Sequence, residues 1–231
     1  MANSARNVPG VEKETEYTEI NPLDNLQVTY EKNKKTISTV TTLVLVLVVG
    51  YFGYMKMYKE PGEEKANAAM YWPQLYFQAD SLNLALNGDG KNVGFSKIAS
   101  KYSGTSAANL ARYYEGVCYL KMGKFNDAIT ALKKFDGKGT ALDRQAAGLL
   151  GLAYMENKNN NEAIESFKKA TSDKDDALVT PTYLYHMGMA YQASGKTNEA
   201  KDAFKRIRDE YPRSQQAREI DKELAKLGEL N

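Results

Sequence analysis

Twenty consecutive residues without a charge, Thr36 to Met55 (TISTVTTLVLVLVVGYFGYM), constrain this chain more than any other feature. A helix needs about that length to cross the roughly 30 Å hydrocarbon core of a bilayer. From Leu43 to Val49 the run is apolar on every side, whereas a core helix of a soluble domain normally keeps a polar face. A cleavable export signal has a short basic leader, an apolar stretch of about 7–15 residues and a small-residue site directly beyond it. Here some 35 residues come first, and the nearest such site, Ala66-Asn67-Ala68, lies past a charged spacer. The expectation is therefore an uncleaved transmembrane helix over 36–57, preceded by a polar tail, 1–35, that is mostly disordered. Asn21-Pro22-Leu23-Asp24 has the character of a helix start. A short helix resting Leu23, Leu26 and Tyr30 on the membrane surface and a disordered leader are both open there.

Lys32, Lys34 and Lys35 crowd the N-terminal flank of the run, while Lys56, Lys59 and Lys65 are spread more thinly after it. That bias favours an internal N-terminus and an exported C-terminal domain, with Tyr51, Phe52, Tyr54 and Tyr58 as an aromatic belt at the outer interface. The reverse topology stays open. Lys+Arg 31 against Asp+Glu 29 leaves a net charge of +2, which offers no electrostatic case for nucleic acid. Cys118 is the only cysteine, so one chain can form neither an internal disulfide nor a thiolate metal cluster.

Internal periodicity decides the fold of the remainder. Gly116, Gly151 and Gly188 are each followed at three residues by Tyr119, Tyr154 and Tyr191, and at twelve by Ala128, Ala163 and Ala200. Leu132, Phe167 and Phe204 come four residues later, then Phe135, Ala170 and Ile207. A glycine inside a helix costs about 1 kcal/mol relative to alanine, so a close helix approach has to offset it. Gly123 and Gly195 suit the left-handed residue that ends a helix, and Asn126 and Asn198 are candidate caps. Lys158 replaces that glycine in the middle block, where an asparagine among Asn157 and Asn159 to Asn161 is expected to turn the chain instead.

These blocks resemble the tetratricopeptide repeat, a helix-turn-helix unit of about 34 residues with small, Tyr, Gly, Ala and aromatic residues at such spacings. The resemblance covers about residues 105–215. Phe95, Ile98 and Tyr102 repeat the offsets of Phe204, Ile207 and Tyr211, which predicts a linker and degenerate first repeat over 58–104. Its first helix is expected from Glu63 to about Leu86, with Tyr71, Trp72, Leu75, Tyr76, Ala79 and Leu82 as its apolar stripe and Pro61-Gly62 as a hinge or kink. Ala217, Ile220, Leu224 and Leu227 form an amphipathic closing helix. The predicted fold class is all-α: one N-terminal transmembrane helix, then a solenoid of three repeats plus a capping helix over 105–231.

No residue pattern points to an enzyme. His186 is the lone histidine and has no partner motif around it. Cys118 takes the place of Ala153 and Ala190, the position of a small buried residue. Asn87-Gly88-Asp89-Gly90-Lys91 lacks both the spacing of a phosphate loop and the ladder of a calcium loop, and is read as a turn. Catalytic, cofactor and metal residues are accordingly expected to be none. In the tetratricopeptide family the first helices line a concave groove, and the resemblance implies a partner-binding line of Leu110, Tyr113, Val117 and Leu120, then Leu149, Leu152 and Met155, then Tyr185, Met189 and Gln192. Family members that clamp acidic C-termini use Lys and Asn there; Tyr113, Val117, Leu152, Tyr185 and Met189 suit an apolar or amphipathic segment. A groove covered by the chain's own C-terminal helix or first repeat is equally open.

End to end, the layout is similar to the ancillary subunit family of the bacterial SecYEG translocon, and FSKIASKYSGTSAANLARYYEG is similar to that family's first helical junction. That resemblance implies a scaffold in the bacterial inner membrane, with a cytoplasmic N-terminus and a periplasmic repeat domain. Its implied partners are the Sec translocon, a membrane-anchored periplasmic prolyl isomerase chaperone and emerging polypeptides, with no cofactor. This chain departs from the family in its cleaner repeats, Tyr-rich composition and longer tail. The rival readings are an envelope scaffold for cell-wall or outer-membrane assembly, and a small-ligand sensor.

Overall fold

The computed structural model of the chain describes residues 22–138, 140, 142–174 and 176–229. The tail before residue 22 lies outside that description, as do the side chains of residues 22–29 and Tyr58; the surface contact expected of Leu23 and Leu26, and the place of Tyr58 in the aromatic belt, lie outside it too. The chain divides into two compact units, 1–55 and 56–231.

In the first unit one helix, α1 (Pro22–Tyr54), contains the whole apolar run up to Tyr54. It begins at the proline that marked a possible start, so residues 22–35, expected to belong to a mostly disordered tail, are helical. Proline suits the first helical turn, and elongation from an apolar helix already formed avoids the cost of a new nucleus. Leu43, Val46 and Val49 are 60%, 65% and 69% exposed, so α1 offers no face for water to prefer. Thr39 and Thr42 turn their hydroxyls back onto the carbonyls of Lys35 and Ser38, both at 2.8 Å, which satisfies them inside the helix. Among the described residues, α1 carries the one segment long and apolar enough to cross a membrane.

A π-helical turn, Met55–Lys59, precedes the helices α2 to α12 described for the second unit. Pro61 sits in the first turn of α2 (Glu60–Ala69), directly after the π-helical turn, where a proline without an N–H is tolerated. Next come α3 (Tyr71–Gln78), α4 (Leu82–Asn87), α5 (Phe95–Lys101) and α6 (Ser106–Lys121). The chain continues through α7 (Phe125–Lys134), α8 (Leu142–Glu156), α9 (Asn160–Ala170), α10 (Thr180–Ala193), α11 (Thr197–Glu210) and α12 (Ala217–Lys226). Helices α6 and α7, α8 and α9, and α10 and α11 pack as hairpins; α7 then packs on α8, α9 on α10, and α12 on α11.

The repeated glycines explain the hairpins. A Cβ at Gly116 or Gly151 would lie 2.5 or 2.6 Å from the side chain of Leu132 or Phe167, and one at Gly188 would run into the ring of Phe204. Each first helix thus rests its bare backbone on the large residue of its own second helix. Each hairpin then turns in the same way: the amides of Lys124, Asn159 and Lys196 donate to the carbonyls of Tyr119, Tyr154 and Tyr191 at 2.9, 2.8 and 2.9 Å. The left-handed residue before each of these amides is Gly123 (φ 72°), Lys158 (φ 61°) and Gly195 (φ 72°). Lys158 itself takes the conformation expected of an asparagine, because the turn is set by its place in the hairpin. Asn126 and Asn198 are no caps: the N-cap positions of α7 and α11 are Lys124 and Lys196, neither with a side-chain cap, and Asn126 instead accepts from Asn157 of the next hairpin at 2.8 Å.

The first repeat differs most from its expected form, for the stretch from Glu63 to Leu86 is three helices. Pro73 cannot donate to the carbonyl of Ala69, and the helix breaks at Met70. A second break follows at Asp80, left-handed at φ 53°, where the Ser81 amide donates to the Tyr76 carbonyl at 2.8 Å. This is the hairpin turn of the other repeats. Pro73, Tyr76 and Ala85 therefore stand where Gly116, Tyr119 and Ala128 stand, so α3 is a first helix and α4 with α5 a second one split by the insertion Asn87–Gly94. Asp89 ties that insertion by accepting from the amides of Lys91 and Asn92 and from the Tyr76 hydroxyl at 2.7 Å, bonds that hold its carboxyl far below the usual range. Of the expected stripe, Tyr71, Trp72, Leu75 and Ala79 are exposed; Ala66, Met70, Pro73, Ala85 and Leu86 are the buried residues.

Helix α2 is fixed by Glu63, whose carboxylate accepts from the first amides of α6, Ser106 at 2.8 Å and Ala107 at 3.0 Å, beside the Thr105 cap on Ala108. Among the described residues no buried side-chain nitrogen or oxygen lacks a partner. Two substitutions test this account of the hairpin by chemical denaturation followed by helical circular dichroism. Gly151→Ala should lower stability by about 1–3 kcal/mol through overpacking on Phe167. Lys158→Gly should raise it by about 1 kcal/mol through relief of the left-handed backbone.

Candidate partner-binding groove

The first helices α6, α8 and α10 contact one another in order, and each carries part of the expected line. All ten residues named for it are half-buried, with one face in the domain and one at its surface. Leu152, Met155, Tyr185 and Met189 pack on the core of the last two repeats, and Leu110 on the core of the first two. Tyr113 lies against Phe135, ring centres 5.4 Å apart, and donates to Gln145 Oε1 at 3.4 Å, which ties α6 to α8. Tyr185 tilts against Phe204 at 6.0 Å. Helix α12 packs on α11, with Gln216, just before its start, donating to Thr182 of α10 at 2.9 Å.

By its spacing Leu149 stands one position off the register of the line. Thirty-five residues separate it from Tyr114 and thirty-seven from His186, and both of those side chains lie in the seam between repeats. Tyr114 stacks on Phe95 at 5.0 Å and 10°, His186 on Phe167 at 6.0 Å and 19°. The residue in register with Tyr113 and Tyr185 is Gly148, one position earlier. A Cβ there would run into the ring of Tyr183, which fills the space and brings its hydroxyl to the Gln145 carbonyl at 3.5 Å. Gln145, Gly148 and Tyr183 are therefore central to the groove and were not among the expected residues. The 35- and 37-residue spacings, applied strictly, point to Gly148; Tyr183 had no signal, since it acts from the next repeat.

Burial lowers the pKa of His186, with the Glu156 charge opposing, so its imidazole is neutral at pH 7 between the rings of Phe167 and Tyr185. Burial pushes the Cys118 thiol up to about 11 and the Tyr183 phenol up to about 12, and raises Tyr113 as well. A raised pKa in the folded state means stability that is complete below the unfolded value and is lost as pH climbs to the folded one. Denaturation midpoints should accordingly be insensitive to these groups from pH 7 to about 8 and fall above it. Tyr183→Phe should flatten the fall between about pH 10 and 12, and an unchanged slope would show that this phenol is not held out of water.

No curated protein matches the chain. A family model for the tetratricopeptide repeat-like domain matches residues 29–229, taking in most of α1 together with every helix of the second unit. A domain of this kind is a scaffold that binds other proteins, and the match covers most of the chain: the protein belongs to the tetratricopeptide repeat-like family.

Proposed function

We propose that the protein is a membrane-anchored scaffold that holds an extended apolar or amphipathic segment of another polypeptide along α6, α8 and α10. The observation that carries this reading is the half-buried, largely uncharged line of Leu110, Tyr113, Val117, Leu120, Leu152, Met155, Tyr185, Met189 and Gln192, completed at its centre by Tyr183 and Gln145. Met and Tyr side chains adapt to varied apolar partners, and extended segments dock where backbone groups and shallow pockets alternate. Binding without catalysis fits the neutral, stacked His186 and the protonated Cys118.

In this reading α1 crosses the bacterial inner membrane once, with a cytoplasmic N-terminus and a periplasmic repeat domain. The clustered Lys32, Lys34 and Lys35, and a family match that runs through α1 into the repeats, support the anchor as part of the working unit. The partners are the Sec translocon, a membrane-anchored periplasmic prolyl isomerase chaperone and the chains that emerge between them. Purification in mild detergent after crosslinking in cells should recover translocon and chaperone subunits with the wild-type protein. Tyr113→Glu combined with Met189→Glu should abolish that recovery with an unchanged helical spectrum; full recovery would refute the groove. A reporter fused to the C-terminus should be active only outside the cytoplasm, and cytoplasmic activity would reverse the topology.

A further inference from the structure

The first repeat leaves uncovered a face that every later repeat buries. Pro73 aligns with Gly116, Gly151 and Gly188, so Leu75 aligns with Cys118, Ala153 and Ala190, all 0% exposed in the seams between repeats, whereas Leu75 is 43% exposed. Tyr71, 62% exposed, aligns with Tyr114 and His186, which stack on the aromatic residue of the preceding second helix. Trp72 between them is 42% exposed, edge-on to Tyr71 at 5.3 Å and stacked on Tyr76 at 6.2 Å. Among the described residues no second helix of an earlier repeat packs on this side of α3, and its aromatic face is exposed. The other end is closed, with Ile220 and Leu224 of α12 buried and Glu219, Asp221 and Lys222 outward. Repeat arrays need a polar cap at each end. Among the described residues the polar cap is found at the α12 end.

We infer that the Tyr71–Trp72–Leu75 face is the contact through which two copies of this chain pair, end to end, about a two-fold axis. The closed α12 end offers nothing for that face to dock on, so head-to-tail growth is blocked and the face meets its own copy, which gives an isologous, self-limiting dimer. Tyr71, Trp72, Leu75 and Ala79 carry no charge, so opposing the face to itself incurs no like-charge repulsion, and aromatic residues are those enriched at the centres of such contacts. The face is a continuation of the three internal seams, which the same positions already form within the chain. Where α1 is anchored as proposed above, both copies lie in one membrane plane in the same orientation. The shared plane raises the effective concentration of one copy for another.

Trp72 is the only tryptophan in the chain and Cys118 the only cysteine, which makes the test specific. The full-length protein is placed in liposomes of phosphatidylcholine and phosphatidylglycerol and scored for flotation, for crosslinking and for quenching of Trp72 by brominated lipid. In a Cys118→Ala background, Leu75→Cys should give a dimer with a short bismaleimide, and Thr130→Cys, on an outward second helix, should not. Trp72→Glu and Leu75→Lys, both at exposed positions, should convert the dimer to monomer in detergent sedimentation without loss of helical signal. A wild-type monomer at every concentration, or a dimer that survives Trp72→Glu, would overturn the inference. Strong quenching of Trp72 by brominated lipid would overturn it too, because the face would then lie on the bilayer. Failure to float would count against the anchor alone, and sedimentation of the same protein would still decide the dimer.

Discussion

Close approach of a bare helix backbone to one large side chain is the contact on which the stack depends. Gly116 on Leu132, Gly151 on Phe167 and Gly188 on Phe204 bring each first helix nearer its second helix than any Cβ permits. That proximity makes the hairpin short enough to turn through a single left-handed residue, closed by the same amide-to-tyrosine-carbonyl bond in each repeat. The large residue also faces forward: Phe167 supports Gly151 within its own hairpin and stacks on His186 of the next. One side chain thus serves both the hairpin and the seam, and for that reason repeats of different surface composition stack in one register.

The groove inherits its shape from that register. With the glycine turned to the second helix, Tyr113, Val117 and Leu120 fall on the free side of α6, and Tyr185, Met189 and Gln192 on that of α10. At the centre the pattern is broken by Gly148, whose missing side chain admits Tyr183 from the following repeat. The middle of the line is therefore built by two repeats at once, with Gln145 joined to Tyr113 on one side and Tyr183 on the other. Under the proposed function, a partner on this line would meet a surface shared by two repeats, sensitive to the packing of α8 on α10.

Much of this was legible in the residues themselves. The three glycine-tyrosine-alanine blocks located α6 to α11, the amphipathic end located α12, and the uncharged run located most of α1. What escaped the reading has physical causes. Pro73 stands where a glycine was sought, and the insertion Asn87–Gly94 displaces Phe95 from its offset, so the first repeat looked like one long helix when it is a hairpin with a split second arm. Lys158 took a conformation favoured by glycine or asparagine because the hairpin imposed it. Leu149 was one residue out of register, which a strict count of spacings would have corrected, whereas the contribution of Tyr183 depends on a contact between repeats that no single block contains.

The central claim is that the inner line of the first helices, and not the outward side of the second helices, meets a polypeptide partner of a different kind from the chain itself. Site-specific photo-crosslinking in living cells tests it most directly, with a benzophenone amino acid placed in turn at Val117, Leu152 and Met189, and at Thr130, Glu165 and Asp202, which share one register on the outward side of the second helices. The account predicts adducts to other polypeptides from the first three positions and none from the second three. Adducts from the outward positions with none from the inner ones would contradict it.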